Sequence, residues 1–236
     1  MGIILARAGS KGLPNKCMVD LLGKPLIQYT FEYARTCRCL DAFMLSTDSR
    51  PASFLAGEQG ILTIDRPPAL ATDTATVDAA ARHAVEAWEQ RQDRDVDTVV
   101  LLYGNIPVRP VGLIDRAVNH LHRSNADSVR SVAPVSKQHP DWLHRLDGDR
   151  MVQYCANSIY RRQDLQPLYY HDGAAVAVRR AALFDAENTP DDFQAFLGQD
   201  RRAIVQPCDA AVDVDEPSDL LIAEALLKRE CRNHVR

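Results

Sequence analysis

The chain has 236 residues, 46% of them hydrophobic and 25% charged, which suits one large α/β domain with at most a small insertion and leaves no room for two full domains. With 28 Lys and Arg against 32 Asp and Glu the formal charge is −4, so no global positive field draws the protein onto nucleic acid or an anionic membrane; an anionic ligand must be held by a local basic cluster. No apolar run approaches the ~18 residues of a membrane span, and the opening MGIILARAGSKG lacks the long apolar stretch of a signal peptide, so a cytoplasmic protein is expected. The six cysteines lack the C-x-x-C spacing of a structural zinc site, and reduced thiols are expected.

Along the chain, short apolar runs alternate with helical periodicity, the pattern of a parallel sheet wrapped by helices. Ile3 to Ala6, Ala42 to Leu45, Ile61 to Ile64 and Thr98 to Leu102 read as buried strands. Val77, Ala80, Ala81, Ala84, Val85 and Trp88 form one apolar helical stripe, and Leu113 to Leu121 another after Pro110. From about Asp127 the rhythm becomes strand-like: Val129 to Val135, Trp142 to Leu146, a turn at Asp147 to Asp149, and Met151 to Tyr154. A β-rich insertion over about 136–170 is therefore expected within a single domain spanning 1–236. The main pattern resumes at Ala174 to Val178 and Ala203 to Val205, and Pro217 opens a last helix to about Lys228.

The first strand runs straight into Arg7-Ala8-Gly9-Ser10-Lys11-Gly12-Leu13-Pro14-Asn15-Lys16. A glycine-bearing loop at the carboxyl end of a strand is where open α/β sheets bind ligands, because glycines let backbone N–H groups approach phosphate oxygens. In the first 24 residues Arg7, Lys11, Lys16 and Lys24 stand against Asp20 alone, a local charge of +3. The loop matches neither G-x-x-x-x-G-K-[ST] nor G-x-G-x-x-G, which disfavours a P-loop NTPase and a dinucleotide-dependent oxidoreductase. Near the other end, Val212-Asp213-Val214-Asp215 alternates two carboxylates that a strand would present on one face, as a hard cation shared with phosphate oxygens requires; acids beside a helix start also serve as caps.

ILARAGSKGLPNK followed by LLGKPLIQYT resembles the opening of the acylneuraminate cytidylyltransferases, the CMP-sialic acid synthetases, whose pattern is close to ARxGSKGxPxKN with GxPLI. Further stretches fit in order: Ser46 to Ser49, Arg66-Pro67 with Leu70 to Ala75, Leu101-Leu102 to Pro107-Val108-Arg109-Pro110, Arg161 to Leu165 with Asp172-Gly173-Ala174, and Val212 to Asp215. The resemblance implies an α/β fold, a three-layer, Rossmann-like, mostly parallel sheet of the nucleotide-diphospho-sugar transferase kind with a small β-rich dimerisation insertion. It implies transfer of CMP from CTP to the anomeric hydroxyl of an anionic 2-keto sugar acid, with release of pyrophosphate, Mg²⁺ (or Mn²⁺) as cofactor and a homodimer. By position it makes Arg7, Lys16 and Asp213 catalytic, and assigns the nucleotide to Ala6, Arg7, Gly9, Ser10, Lys11, Gly12, Lys16, Arg66, Ala71, Thr72 and Asp73. It gives the sugar to Tyr103, Arg162, Tyr170 and Asp172, and the metal to Asp213 and Asp215.

Departures fall where the sugar should sit: Cys17 replaces an asparagine, Tyr103 a glutamine, and Asp172 the asparagine of Asn-Gly-Ala. A 3-deoxy-manno-octulosonate enzyme or a non-catalytic nucleotide-binding member are the alternatives. The former group resembles ARxxSxRLPGK and lacks a Gly9 to Gly12 loop of this kind.

Overall fold

The computed structural model describes residues 1–9, 12–185 and 192–234, the last five by backbone alone. In chain order the strands are β1 (Gly2–Ala6), the two-residue β2 (Asp20–Leu21) and β3 (Lys24–Pro25), β4 (Phe43–Thr47), β5 (Leu62–Asp65), β6 (Thr98–Tyr103), β7 (Ser128–Pro134), β8 (His144–Asp147), β9 (Arg150–Gln153), β10 (Tyr169–Arg179) and β11 (Arg201–Val205). The α-helices are α1 (Leu26–Thr36), α2 (Arg50–Glu58), α3 (Val77–Gln92), α4 (Leu113–Ser124), α5 (Arg180–Asp185) and α6 (Pro217–His234). Among the described residues no helix is long and apolar enough to cross a membrane.

Seven strands form one sheet in the order β11-β7-β10-β6-β1-β4-β5, in which only β10 runs antiparallel to its neighbours. The sheet is apolar on both faces, which explains the unbroken hydrophobic runs. Successive residues alternate between two cores: Ile4, Leu45, Val100 and Leu102 pack with α1, α2 and α4, whereas Ile3, Met44, Val99 and Leu101 pack with α3 and α5. The three-layer architecture follows from that alternation. A third, smaller core joins Leu21, Leu26, Val108 and Val214 to Ala223 of α6.

Leaving β1, the chain builds β4 and β5 on one side and then returns to place β6 on the other. The carboxyl ends of β1 and β6 thus flank a topological switch point, the place where such sheets bind ligands.

Several elements differ from the sequence expectation. Helix α2 was not foreseen; it starts because Ser49 accepts a hydrogen bond from the Ala52 N–H at 3.4 Å and Pro51 sits in its first turn, signals too short to read against a nine-residue helix. The strand expected from Trp142 starts at His144, since Pro140–Trp142 closes a 3₁₀ turn. Val212 to Asp215 is not a strand: Val212 makes one antiparallel bridge with Val108 before the chain turns into α6. The expected alternation survives, with Val214 buried and Asp213 and Asp215 exposed. Between β7 and β10 the chain leaves the sheet as an arm carrying the β8–β9 hairpin, whose eight paired residues are all exposed.

Arg109 holds the loop after β6. It is only 5% exposed and donates to the carbonyl oxygens of Tyr103 (2.7 Å), Ala174 (3.1 Å) and Ile106, and to the Thr30 hydroxyl at 3.0 Å. Burial pushes its pKa down to about 10, so it stays charged at neutral pH. Arg109→Leu would leave these acceptors buried and unpaired and should cost ~3 kcal/mol or more, read as a lowered urea midpoint; Arg109→Lys, which cannot reach all of them, should fall between the two.

Candidate active site

Four elements bring charge to the switch point. β1 delivers Arg7, whose guanidinium bonds the Asp73 carboxylate at 2.6 Å, and Ala8, whose N–H donates to Asp48 at 2.8 Å. The loop then crosses the end of the Val212 to Asp215 segment so closely that a Cβ on Gly12 would stand 2.5 Å from the Asp215 carbonyl oxygen, which only glycine avoids. Lys16, in the short 3₁₀ turn Lys16–Met18, bonds the Asp215 carboxylate. Arg66, just beyond β5, is 9% exposed and donates to the Ser46 carbonyl at 2.8 Å and its hydroxyl at 3.3 Å. Burial lowers the Arg66 pKa and nearby Asp48 partly offsets this.

Arg7, Lys16 and Arg66 line one cleft of about 180 Å³ with Ala6, Gly9 and Tyr103. Cys17 sits in its wall, buried, with burial pushing its thiol up to about 11, so the residue that replaces asparagine behaves as an inert neutral group. A second hollow of about 350 Å³ is lined by Tyr170, Asp172 and Asp213, with Ile222 and Leu226 of α6. Asn105 joins the two: it lines the first, its side-chain amide donates to the Asp213 carboxylate, and its carbonyl accepts from the Val214 N–H at 3.0 Å. A larger hollow of about 520 Å³ lies between α4 and the edge strand β11; none of the charged groups of the switch point faces it.

Of the residues singled out from the sequence, Ala6, Arg7, Gly9, Lys16, Arg66 and Tyr103 share the first cleft, and Tyr170, Asp172 and Asp213 the second. Asp73 and Asp215 join through their ion pairs with Arg7 and Lys16, and Gly12 through its contact with Asp215. Ala71 and Thr72 belong to the turn that carries Asp73; the Thr72 hydroxyl accepts from the Ala75 N–H at 3.1 Å. Ser10 and Lys11 lie outside the described residues. Arg162 is exposed on the arm, where its side chain makes no hydrogen bond or ion pair among the described residues. Asp172 is less isolated than a bare acid beside an anionic substrate: Oδ1 accepts from the Ser131 hydroxyl and from the Ala174 N–H at 3.0 Å, while Oδ2 is buried without a partner.

Sequence reasoning gave no role to Asn105, nor to Asp48 and Arg109, although these two stand in the stretches that carry the resemblance. Asn105 directly follows Gly104 at the end of a buried strand, the one local signal that pointed to it.

The family model described as cytidylyltransferase matches residues 1–203. The chain belongs to the cytidylyltransferase family. It is 38% identical over 176 residues to the N-acylneuraminate cytidylyltransferase of Streptococcus agalactiae serotype V, a match that covers 73% of this chain and 41% of that protein, so the chain spans well under two thirds of this relative. Over nearly full length it is 28% identical to the CMP-N,N'-diacetyllegionaminic acid synthase of Legionella pneumophila (97% of this chain, 96% of that one) and 28% identical to the pseudaminic acid cytidylyltransferase of Campylobacter jejuni strain 81-176 (96% and 95%). Among solved structures, a CMP:2-keto-3-deoxy-manno-octonic acid synthetase complexed with CTP superposes with a TM-score of 0.71 at 20% identity, covering 97% of this chain and 98% of that one, a likeness of fold.

Asp213 is the most perturbed acid of the site. Crowding by the surrounding protein, with repulsion from Asp215, pushes its carboxyl up to about 6 despite the pull of Lys16. Because the folded carboxyl holds its proton more tightly than an unfolded one, ionised above ~4, ionising it costs stability that is absent at lower pH and fully present above about 6. Asp213→Asn keeps an acceptor for Asn105 and removes that cost. In metal-free buffer its thermal midpoint should exceed that of the unsubstituted protein at ~pH 8 and converge with it near ~pH 4.

Proposed function

We propose that the protein transfers CMP from CTP to the anomeric hydroxyl of a nonulosonic-type 2-keto sugar acid, releasing pyrophosphate. The convergence of Arg7, Lys16 and Arg66 on one cleft at the switch point, in a chain of charge −4, carries this reading. The names of the legionaminate and pseudaminate relatives, which match over nearly the whole length, support the substrate class.

In the reaction the sugar hydroxyl oxygen bonds to the α-phosphorus, the α–β phosphoanhydride bond breaks, pyrophosphate takes the electron pair, and the hydroxyl proton passes to solvent or a phosphate oxygen. Charge accumulates on the transferring group and on the leaving oxygens, so positioned cations are the main catalytic need. Arg7 and Lys16 would exchange their carboxylate partners for phosphate oxygens, and Arg66, already fixed by Ser46, would back them. The base would rest near the turn Ala71 to Asp73, and the sugar in the second hollow beside Tyr103, Tyr170 and Asp172, with Arg162 available from the arm.

The donor set fits a divalent cation. Repulsion from Asp215 helps to raise the Asp213 carboxyl, which a cation between the two would relieve, with phosphate oxygens and water completing the shell of Mg²⁺. Bound there, Mg²⁺ (or Mn²⁺) would neutralise phosphate charge. The same reading includes a cytoplasmic homodimer: the arm exposes Leu146 (72%), Met151 (64%) and Tyr160 (92%), apolar surface that a closed two-fold pairing would cover.

The deciding experiment is pyrophosphate release from CTP, Mg²⁺ and a panel of 2-keto sugar acids, including 3-deoxy-manno-octulosonate. Turnover should require the metal, vanish on chelation, and fall at least ~100-fold in Arg7→Ala and in Lys16→Ala with the fold intact. No turnover of any acid would refute the reading. For assembly, sedimentation should give about twice the 26.3 kDa of one chain, and Leu146→Lys with Met151→Lys should shift it toward the monomer.

A further inference from the structure

We infer that Arg130, held in place by His171, is the group that receives the carboxylate of the sugar acid. The inference rests on the function proposed above and adds a residue that the sequence motifs did not point to.

Strand register fixes where Arg130 lies. It pairs with Val176 of β10, which pairs with Leu101 of β6, so the three sit in one row across the sheet. Val176 and Leu101 belong to the core under α3 and α5, and Tyr103, two residues beyond Leu101 on the same face, packs at its edge and lines the first cleft. A guanidinium therefore stands in a row that is otherwise apolar, one step short of the ligand-binding end of the sheet. His171, bonded to it, lines the second hollow. Arg130 thus stands next to a lining residue of each cavity, Tyr103 of the first and His171 of the second.

It differs from the other buried or half-buried arginines in having no oxygen acceptor among the described residues: Arg66 and Arg179, also without an ion pair, donate to Ser46 and to Ala126 and Asn125. Arg82 has Asp78 at 2.7 Å, Arg180 has Glu89 at 2.8 Å, and Arg109 is ringed by backbone carbonyls. Arg130 is half-buried, and among the described residues it forms no ion pair; its one hydrogen bond joins NH1 to His171 Nε2 at 2.9 Å. Arginine can only donate, so His171 accepts as a neutral imidazole and contributes no negative charge. Asp172 is near enough to be felt, yet its Oδ1 is engaged by Ser131 and Ala174. Burial correspondingly lowers the Arg130 pKa. A half-desolvated, planar fork of donors without an anion matches a carboxylate, which takes two parallel N–H bonds. Arg162, by contrast, stands exposed on the arm.

The test uses the full chain, CTP, Mg²⁺, a 2-keto sugar acid that the protein turns over, and the methyl ester of that acid. Arg130→Ala should raise KM for the acid at least ~30-fold, leave KM for CTP within ~2-fold, and abolish the preference for acid over ester; Arg130→Lys should retain part of that preference. His171 acts as a positioning residue: His171→Gln, which keeps an acceptor, should stay close to the unsubstituted protein, while His171→Leu should raise KM for the acid without changing that for CTP. Thermal melts exclude misfolding as the cause. Turnover by the unsubstituted protein with an unchanged acid-to-ester ratio in Arg130→Ala, or with the change confined to Arg162→Ala, overturns the assignment alone. Failure of the unsubstituted protein on every acid overturns the proposed function and this assignment with it.

Discussion

The loop that leaves β6 is the constraint on which the rest of the site depends. Gly104 lies against β1 so tightly that a Cβ would come within 3.2 Å of the Ala6 Cβ, and its N–H bonds the Leu5 carbonyl at 3.0 Å. From below, Arg109 grips the carbonyls of Tyr103 and Ile106. On the other side Asn105 and Val108 fasten the Val212 to Val214 segment by a backbone hydrogen bond and an isolated bridge. The basic loop after β1 and the acids before α6 come from opposite ends of the sequence, and they face each other because both are anchored to this one stretch. A buried arginine is a costly anchor, since its charge must be fully hydrogen-bonded to be tolerated. Its rigidity is what the geometry of the first cleft gains.

Two of the three cations of the cleft, Arg7 and Lys16, are paired with carboxylates, while Arg66 is held by Ser46. The Arg7–Asp73 pair is 36% and 43% exposed at its side chains, a setting in which an ion pair contributes only ~0–1 kcal/mol, so a polyphosphate can displace Asp73 at little cost. Lys16 is more enclosed, 15% exposed against 66% for Asp215, which keeps the lysine aimed inward while its partner stays free to turn toward solvent or another cation. The two acids at 213 and 215 oppose each other while the two basic groups are occupied. Under the proposed function, a triphosphate with a divalent cation would bring negative charge to the basic groups and positive charge to the two acids at once.

Much of this was legible in the sequence. The strands Gly2–Ala6 and Thr98–Tyr103 and the helices Val77–Gln92 and Leu113–Ser124 announce themselves because each buries a continuous run or one clean stripe, and the basic loop stands out because its charge opposes that of the whole chain. What could not be read is what topology alone creates. Nothing local in Asn105 reveals that Asp213, 108 residues away, accepts its hydrogen bond. Arg130 looks like an ordinary surface charge inside a strand until the register places it over the apolar face. The start of β10 was equally hidden: Tyr169 and Tyr170 read as the end of the insertion, whereas the structure pairs Tyr169, Tyr170 and His171 with β7.

The two halves of the site rest on different kinds of support. The first cleft is built on the central strands β1 and β6, where both faces are packed and a changed backbone would disturb both cores. The second hollow is built from the first residues of β10, the segment 208–213 and α6. There the ladder is interrupted between His171 and Val176, and Gly173, at φ 70°, turns so close to Ile106 that a Cβ would meet its Cδ1 at 2.8 Å. The regular ladder with β7 runs to His171 and resumes at Val176; Asp172 to Ala175 lie in the irregularity between them, pinned at Gly173. Tyr103, Arg130, His171 and Asp172 gather around it, and the relatives that match over nearly the whole length at 28% identity carry the names of different sugar acids. Under the proposed function, the rigid first cleft would be the phosphate cradle and the wall shaped by the β10 irregularity would face the sugar.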